Sequence, residues 1–263
     1  MIEADLAVLA RAAELRSTHR QARSASEQYR PLMRTVAVVL AGGAGQRFGG
    51  DRPKQMRLLA GRTLVEHSVA AFEQADGVDS IMVVMPAGLT AQAGEHFAGS
   101  GFCKVTGVIE GGATRTDSTR RAIAALGDEE CDVLFHDAAR PLVEQRIIAD
   151  CISALAENRA IGVAVPSSDT IIEVSDGLVT GMPARDALAR CQTPQGFRLS
   201  VIRRAYKLAD ADPAFAQRPA TDDCGIVLRY LPEIGVRIVP GSERNIKITY
   251  PSDLRVAEAL LRE

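Results

Sequence analysis

Val36–Lys54 reads VAVVLAGGAGQRFGGDRPK. It begins with an unbroken apolar run, Val36-Ala37-Val38-Val39-Leu40, the pattern of a strand buried on both faces. The run gives way to a glycine-rich loop, Ala41-Gly42-Gly43-Ala44-Gly45. Arg47 follows in the loop, and Lys54 stands just after Pro53. Glycines let backbone N–H groups come close to an anion, and the two cations neutralise it, so the stretch is suited to phosphate.

Outward from this stretch, apolar runs alternate with helical spacing. Strands are expected at Ser80–Met85, Val105–Glu110 and Cys131–Phe135, and helices over Thr63–Gln74, Thr90–Phe97, Asp117–Leu126 and Glu144–Glu157. Such alternation predicts an α/β fold with a doubly wound, mainly parallel Rossmann-like sheet. In sheets of this kind ligands sit at the carboxyl ends of the strands. The glycine loop, Gly111-Gly112 and His136-Asp137 all follow strands, so one crevice can collect them.

After Ile161 the rhythm changes. GVAVP is a further strand, and Thr170–Val174 turns at Ser175-Asp176-Gly177 to return as Leu178–Gly181. An Asp-Gly pair between β-prone runs predicts a hairpin. The hairpin has no core of its own, so it is expected to be a protruding arm, about residues 166–190, that reaches a partner. Helices follow at Leu199–Ala209, Cys224–Tyr230 and Ser252–Arg262, the last capped by Ser252. Short strands are expected at Val236–Pro240 and Ile246–Thr249.

Residues 1–34 stand apart from the domain at 35–263. They carry leucines at 6, 9 and 15 and six arginines against four acids, and read as a helical extension. Met33 offers a second possible start. A net charge of −2 gives no support for a nucleic-acid or membrane surface. No apolar run has the length of a membrane span. Five cysteines, with no CxxC spacing, favour reduced thiols in a cytoplasmic protein, and they read as core residues. The four histidines are too scattered for a zinc site.

Two familiar phosphate loops are excluded. A dinucleotide fingerprint needs a third glycine where Phe48 stands, and a Walker loop needs Lys-Ser/Thr where Asp51-Arg52 stands. What remains, A-G-G-x-G-x-R and then Pro53-Lys54-Gln55, resembles the loop of nucleotidyltransferases that join a nucleoside triphosphate to a sugar or polyol phosphate.

Further motifs come in order: Gly111-Gly112-Ala113-Thr114-Arg115-Thr116-Asp117-Ser118, then His136-Asp137-Ala138-Ala139-Arg140-Pro141, Thr193-Pro194-Gln195, Thr221-Asp222-Asp223, and Asn245-x-Lys247-x-Thr249-x-Pro251-x-Asp253-Leu254. From Val36 onward the series resembles the family of 2-C-methyl-D-erythritol 4-phosphate cytidylyltransferases, which includes ribitol 5-phosphate cytidylyltransferases.

The resemblance implies a site, residue by residue. Ala41, Gly42, Gly43 and Gly45 match the loop that binds CTP, and Gly112, Ser118 and Ala138 match further CTP contacts. Arg47, Lys54 and Lys247 match catalytic cations on the triphosphate. Asp137, Arg140 and Thr193 match acceptor contacts, and Asp137 also stands where a carboxylate meets Mg²⁺ beside the CTP phosphates. Thr170 and Arg185 match acceptor-site residues on the arm, which in the family crosses a homodimer.

Some positions carry other readings. Arg115 is either helix-start packing or a nucleotide contact; Thr221 and Asp222 read as a cap, and His136 as structural. The segment Met182–Gln195 lacks the Leu-Trp pair common in methylerythritol enzymes, and its Pro-x-Arg-Asp is nearer the ribitol phosphate branch. The expected activity is transfer of CMP to 2-C-methyl-D-erythritol 4-phosphate, with ribitol 5-phosphate as the alternative acceptor and a non-catalytic nucleotide-binding paralogue as an alternative of another class.

Overall fold

The computed structural model describes residues 33–43, 48 and 53–262. Contacts divide the chain into Met1–Met33 and Arg34–Glu263, and every described strand and helix belongs to the second unit. The helical extension, Gly45 and Arg47 lie outside the described residues.

The glycine loop's strand, β1 (Thr35–Leu40), is buried along its whole length. Its side chains alternate between two cores, as the period of 2 requires. Ala37 and Val39 face one, and Val36, Val38 and Leu40 face the other. A two-residue ribbon, β2 (Leu58–Leu59) and β3 (Arg62–Thr63), leads into helix α1 (Leu64–Glu73). Thr63 and Glu66 form a capping box at the start of α1. Then come β4 (Ser80–Met85), α2 (Thr90–Gly99), β5 (Val105–Glu110) and α3 (Arg115–Ala125), which Thr114 and Asp117 cap in the same way. β6 (Asp132–Asp137), α4 (Gln145–Glu157) and β7 (Ala160–Pro166) complete the regular alternation.

The remaining elements are β8 (Glu173–Ser175), β9 (Leu178–Gly181), β10 (Ala189–Arg198), α5 (Leu199–Ala211), α6 (Asp223–Tyr230), β11 (Arg237–Pro240) and α7 (Pro251–Leu261). The sheet has seven strands in the order β11-β7-β10-β6-β1-β4-β5. All its pairings are parallel except the two made by β10. Helices α1, α2 and α4 pack into the core on one face, and α3, α5 and α6 into the core on the other. This is the doubly wound, mainly parallel sheet that the alternation predicts.

From β1 the chain moves outward through β4 to β5, then returns to the other side of β1 as β6. The order therefore reverses between β1 and β6. A crevice opens there at the carboxyl ends, beyond Leu40 and Asp137.

The hairpin forms a separate two-stranded sheet, β8–β9. Asp176 and Gly177 both take positive φ, 52° and 79°, as the favoured two-residue hairpin turn demands. Val174, Leu178 and Val179 are exposed, Leu178 by 71%.

Three local expectations are corrected. Ile246–Thr249 joins no sheet; its Ile248 N–H donates to Ala139 O at 2.8 Å. Ser252 is not the cap of α7: Asp253 reaches back to the N–H groups of Thr249 and Tyr250 at 2.7 and 2.8 Å, with Pro251 at the first helical position. Cys131, Cys151 and Cys224 are buried, but Cys103 and Cys191 are exposed. Strand β10, which carries Thr193-Pro194-Gln195, has no counterpart among the expected elements.

Candidate active site

At the end of β6, Asp137 is the buried carboxylate of the crevice. Its Oδ1 accepts from Arg115 Nε at 2.9 Å and its Oδ2 from Lys247 Nζ at 2.6 Å. Burial works to raise its pKa, but the two cations and their hydrogen bonds outweigh this and hold it far below the usual carboxylate range. Arg115, at the start of α3, also donates from Nη1 to Asp223 Oδ2 at 2.8 Å. Burial would lower the Arg115 pKa, but Asp223 and Asp137 hold it well above its ordinary value. A line of alternating charge thus runs Asp223–Arg115–Asp137–Lys247.

Two cavities meet at this line. The first, about 140 Å³, is lined by the β1 loop (Ala41, Gly42, Gly43), Lys54, Ser118 and Ala138 among others. The second, about 230 Å³, is lined by Arg140, Thr193, Gln195 and Asp222 among others. Arg115, Asp137 and Lys247 belong to both walls. Two buried donors among the residues of the first cavity, Gln55 Nε2 and Arg115 Nη2, have no hydrogen-bond partner. Buried donors without partners are costly, and acceptor atoms on a ligand would satisfy them.

Close packing holds the glycine loop. A Cβ on Gly42 would lie 2.8 Å from Ser118 Oγ, and one on Gly112 would lie 2.2 Å from Asp117 Cβ. Ser118 Oγ itself accepts from Gly112 N–H and donates to Thr114 O, locking the loop before α3 to the helix. Lys54 lies in a short 3-10 helix, Lys54–Met56, and its Nζ donates to Ile248 O at 2.7 Å. Ala138 continues the crevice floor, its N–H bonded to Leu40 O at 3.0 Å.

On the other side, Arg140 is buried and braces two loops through Asn245 O (2.7 Å) and Cys191 O (3.1 Å). Thr193 Oγ1 accepts from the Asp137 backbone N–H at 3.1 Å. His136 is fully buried; burial lowers its pKa to about 4, and the ring is neutral near pH 7.

Residues 35–263 match the model of the family described as 2-C-methyl-D-erythritol 4-phosphate cytidylyltransferase. The chain belongs to this family. It is 52% identical over 236 residues to the enzyme of that name from Thermobifida fusca, covering 87% of this chain and 94% of the relative. It is 41% identical over 236 residues to that from Bifidobacterium longum, covering 87% and 80%. Similarity extends to a Haemophilus influenzae bifunctional ribulose 5-phosphate reductase/CDP-ribitol pyrophosphorylase, 38% identical over 87% of this chain but only 48% of that protein. Among solved structures, the Thermus thermophilus cytidylyltransferase superposes with a TM-score of 0.68 at 30% identity, covering 88% of this chain and 100% of that one.

Within this cytidylyltransferase the fold brings together Ala41, Gly42, Gly43, Lys54, Ser118, Asp137, Ala138 and Lys247 around the first cavity. Arg140 and Thr193 join Asp137 and Lys247 around the second. Thr170 and Arg185 line neither; both are exposed, with Arg185 Nη1 3.4 Å from Ser168 O. Asp222 caps α6 through Gly225 N–H, as its position suggests. The neighbouring Asp223 is absent from the expected site, yet it is fully buried against Arg115 and the Tyr206 hydroxyl. Its partners are distant in sequence, and its place as the last residue of Thr221-Asp222-Asp223 is the only signal of it there.

Proposed function

We propose that this chain transfers CMP from CTP to 2-C-methyl-D-erythritol 4-phosphate and releases pyrophosphate. Asp137, set between Arg115 and Lys247 where the two cavities meet, is the observation that carries this. The first cavity takes the CTP. Loop amides at Gly42 and Gly43 and the Lys54 ammonium face its phosphates; Arg47, which the family resemblance assigns to the same role, lies outside the described residues. The second cavity takes the acceptor, with Arg140 in its wall. An acceptor phosphate oxygen attacks the α-phosphorus in line, and the bond to the pyrophosphate oxygen breaks. The nucleophile is already anionic, so no covalent enzyme intermediate is required. The protein contributes positioning and a fixed positive environment for the charge that moves onto pyrophosphate.

Mg²⁺ fits this arrangement as a companion of the triphosphate. Among the described residues no group of three acidic, His or Cys ligands is assembled. Asp137 offers a single carboxylate whose oxygens each accept one hydrogen bond here and keep further lone pairs. A cation that keeps waters and substrate phosphate oxygens needs no more. Bound there, it would supply charge neutralisation on the phosphates.

The hairpin supports a homodimer. Its exposed Val174, Leu178 and Val179 have no core to join among the described residues, and a second copy would cover them. Thr170 and Arg185 would then reach the acceptor cavity of the partner. The free cysteines suit a cytoplasmic enzyme, and no described helix is long and apolar enough to cross a membrane.

Incubation with CTP, Mg²⁺ and either 2-C-methyl-D-erythritol 4-phosphate or ribitol 5-phosphate, reading pyrophosphate release, tests the proposal. Pro183-Ala184-Arg185-Asp186 keeps the ribitol arm in the test. Faster turnover of ribitol 5-phosphate would reassign the acceptor. CTP binding without pyrophosphate release from either would point to the non-catalytic paralogue.

A further inference from the structure

His136 is fully buried in β6, with the Phe72 ring edge-on at 5.1 Å. Each of its ring nitrogens has a polar partner within hydrogen-bond distance. Nε2 lies 3.0 Å from Arg140 O, which can only accept, so Nε2 carries a proton. Nδ1 lies 3.0 Å from Thr193 Oγ1, and that same hydroxyl oxygen accepts from Asp137 N–H. A proton on Nδ1 would aim two donors at the hydroxyl oxygen and take from the hydroxyl hydrogen the acceptor it has in Nδ1. With Nδ1 bare, every group is satisfied: Asp137 N–H donates to Thr193 Oγ1, the hydroxyl donates to Nδ1, and Nε2–H donates to Arg140 O. The tautomer is fixed by its neighbours.

The chain of bonds closes on itself. Thr193 O accepts from Asn245 Nδ2 at 2.9 Å, and Asn245 O accepts from Arg140 Nη1 at 2.7 Å. One ring of hydrogen bonds therefore holds the backbone at both ends of Asp137–Arg140, ties it to β10, and ties both to the segment that carries Lys247. We propose that His136 and Thr193 are positioning residues for nucleotidyl transfer, holding Asp137 and Arg140 in place before either substrate binds. This rests on the function proposed above, in which both residues face the reacting groups. It also assigns the Thr193 hydroxyl to the protein rather than to the acceptor.

The test uses full-length Thr193→Val, Thr193→Ser and His136→Gln proteins with saturating CTP, Mg²⁺ and the preferred acceptor. A small displacement at a reacting centre costs on the order of 10²-fold in rate. Thr193→Val and His136→Gln should each lose about tenfold or more in kcat, with KM for the acceptor little changed, while Thr193→Ser keeps turnover near wild type. The double variant Thr193→Val/His136→Gln should lose no more than the worse single change, since the two act as a unit. Long-range ¹H–¹⁵N spectra of the wild-type histidines should show His136 protonated at Nε2 and not at Nδ1. A rise in acceptor KM with kcat preserved in Thr193→Val would overturn the inference, as would additive losses or an Nδ1–H ring. If His136→Gln does not fold, the Thr193 pair and the spectrum decide. Wild-type protein inactive with both acceptors would overturn the proposed function as well, whereas active wild type with an equally active Thr193→Val overturns this inference alone.

Discussion

Arg115→Met separates the stability of the charge line from its chemistry. Arg115 binds Asp137 and Asp223 at 2.9 and 2.8 Å, with its side chain 25% exposed and that of Asp223 0%. Removing the guanidinium leaves Asp137 with Lys247, but among the described residues leaves Asp223 with only the Tyr206 hydroxyl, 2.6 Å from Oδ1, as a side-chain donor. Breaking a buried ion pair costs about 3–5 kcal/mol, because the remaining charge is uncompensated. Water can reach the quarter-exposed arginine position, so the lower end applies, about 3 kcal/mol.

Asp223→Asn alone keeps the acceptor for Tyr206, and Arg115 keeps Asp137, so a cost of about 1–2 kcal/mol is expected. The double variant leaves no uncompensated charge at position 223 and should also cost about 1–2 kcal/mol. It should therefore be more stable than Arg115→Met, with a coupling of about 3 kcal/mol in the cycle. Urea unfolding at one fixed protein concentration reads this as a recovery of the midpoint at constant slope. Turnover should not recover with it, since Asp137 still lacks one of its cations. Additive losses, or an Arg115→Met cost below about 1 kcal/mol, would refute the assignment of Asp223 as an arginine-dependent buried charge.

Lys54→Ala should lower turnover by about 10²-fold or more with an unchanged circular dichroism spectrum; near-normal pyrophosphate release would remove Lys54 from the chemistry. Gly43→Ala meets nothing within 4 Å, so thermal stability should hold while KM for CTP rises; an unchanged KM would place the phosphates elsewhere. Gly112→Ala drives its Cβ onto Asp117, 2.2 Å from Cβ and 3.0 Å from the backbone carbon, and should destabilise the fold by about 1–3 kcal/mol in the same unfolding assay. Leu178→Asp on the exposed hairpin should convert a dimer to a monomer in light scattering without loss of helix signal; an unchanged mass would deny the arm its role. The Glu66 carboxyl is held below its ordinary range because its bonds from Thr63, aided by His96, outweigh burial, which acts to raise it. A depressed carboxylate stabilises above its unfolded pKa and loses that contribution as pH falls through the folded value. Glu66→Gln should therefore be less stable near neutral pH, and the gap should close in acid; a gap constant with pH would contradict this.

The strands of the parallel sheet are legible in the sequence because burial on both faces demands continuous apolar runs. VAVVL and SIMVVM read as buried strands, and both are buried along their whole length. Helix starts are legible where a cap announces them, as Thr63 with Glu66 and Thr114 with Asp117 do. Strand β10 is not. It runs through Arg190, Gln192, Thr193 and Gln195, and the last three are buried and bond through their side chains to Ser242, Asp137 and Asp222. A buried strand whose partners are polar residues tens of positions away has no apolar signature. Arg115 shows the same limit, because neither partner is near it in sequence: it packs at the helix start by binding Asp223 and lines both cavities beside Asp137.

Asn245–Thr249 shows what periodicity sees and what it misses. Alternation in N-I-K-I-T is the pattern of a strand, and the segment joins no sheet. Alternation says nothing of where the backbone bonds go, and here they go to the crevice instead of a sheet edge. Asn245 O takes Arg140, Ile248 N–H gives to Ala139 O, and Ile248 O takes Lys54. Ile248 is buried beside Leu59, Leu64 and Ala257, which anchors the segment from the other side. Lys247, between these anchors, has little choice but to meet Asp137. A lysine that looks unremarkable alone is thus placed by its neighbours' backbone, and substituting Ile248 should displace the Lys247 ammonium without touching a charge.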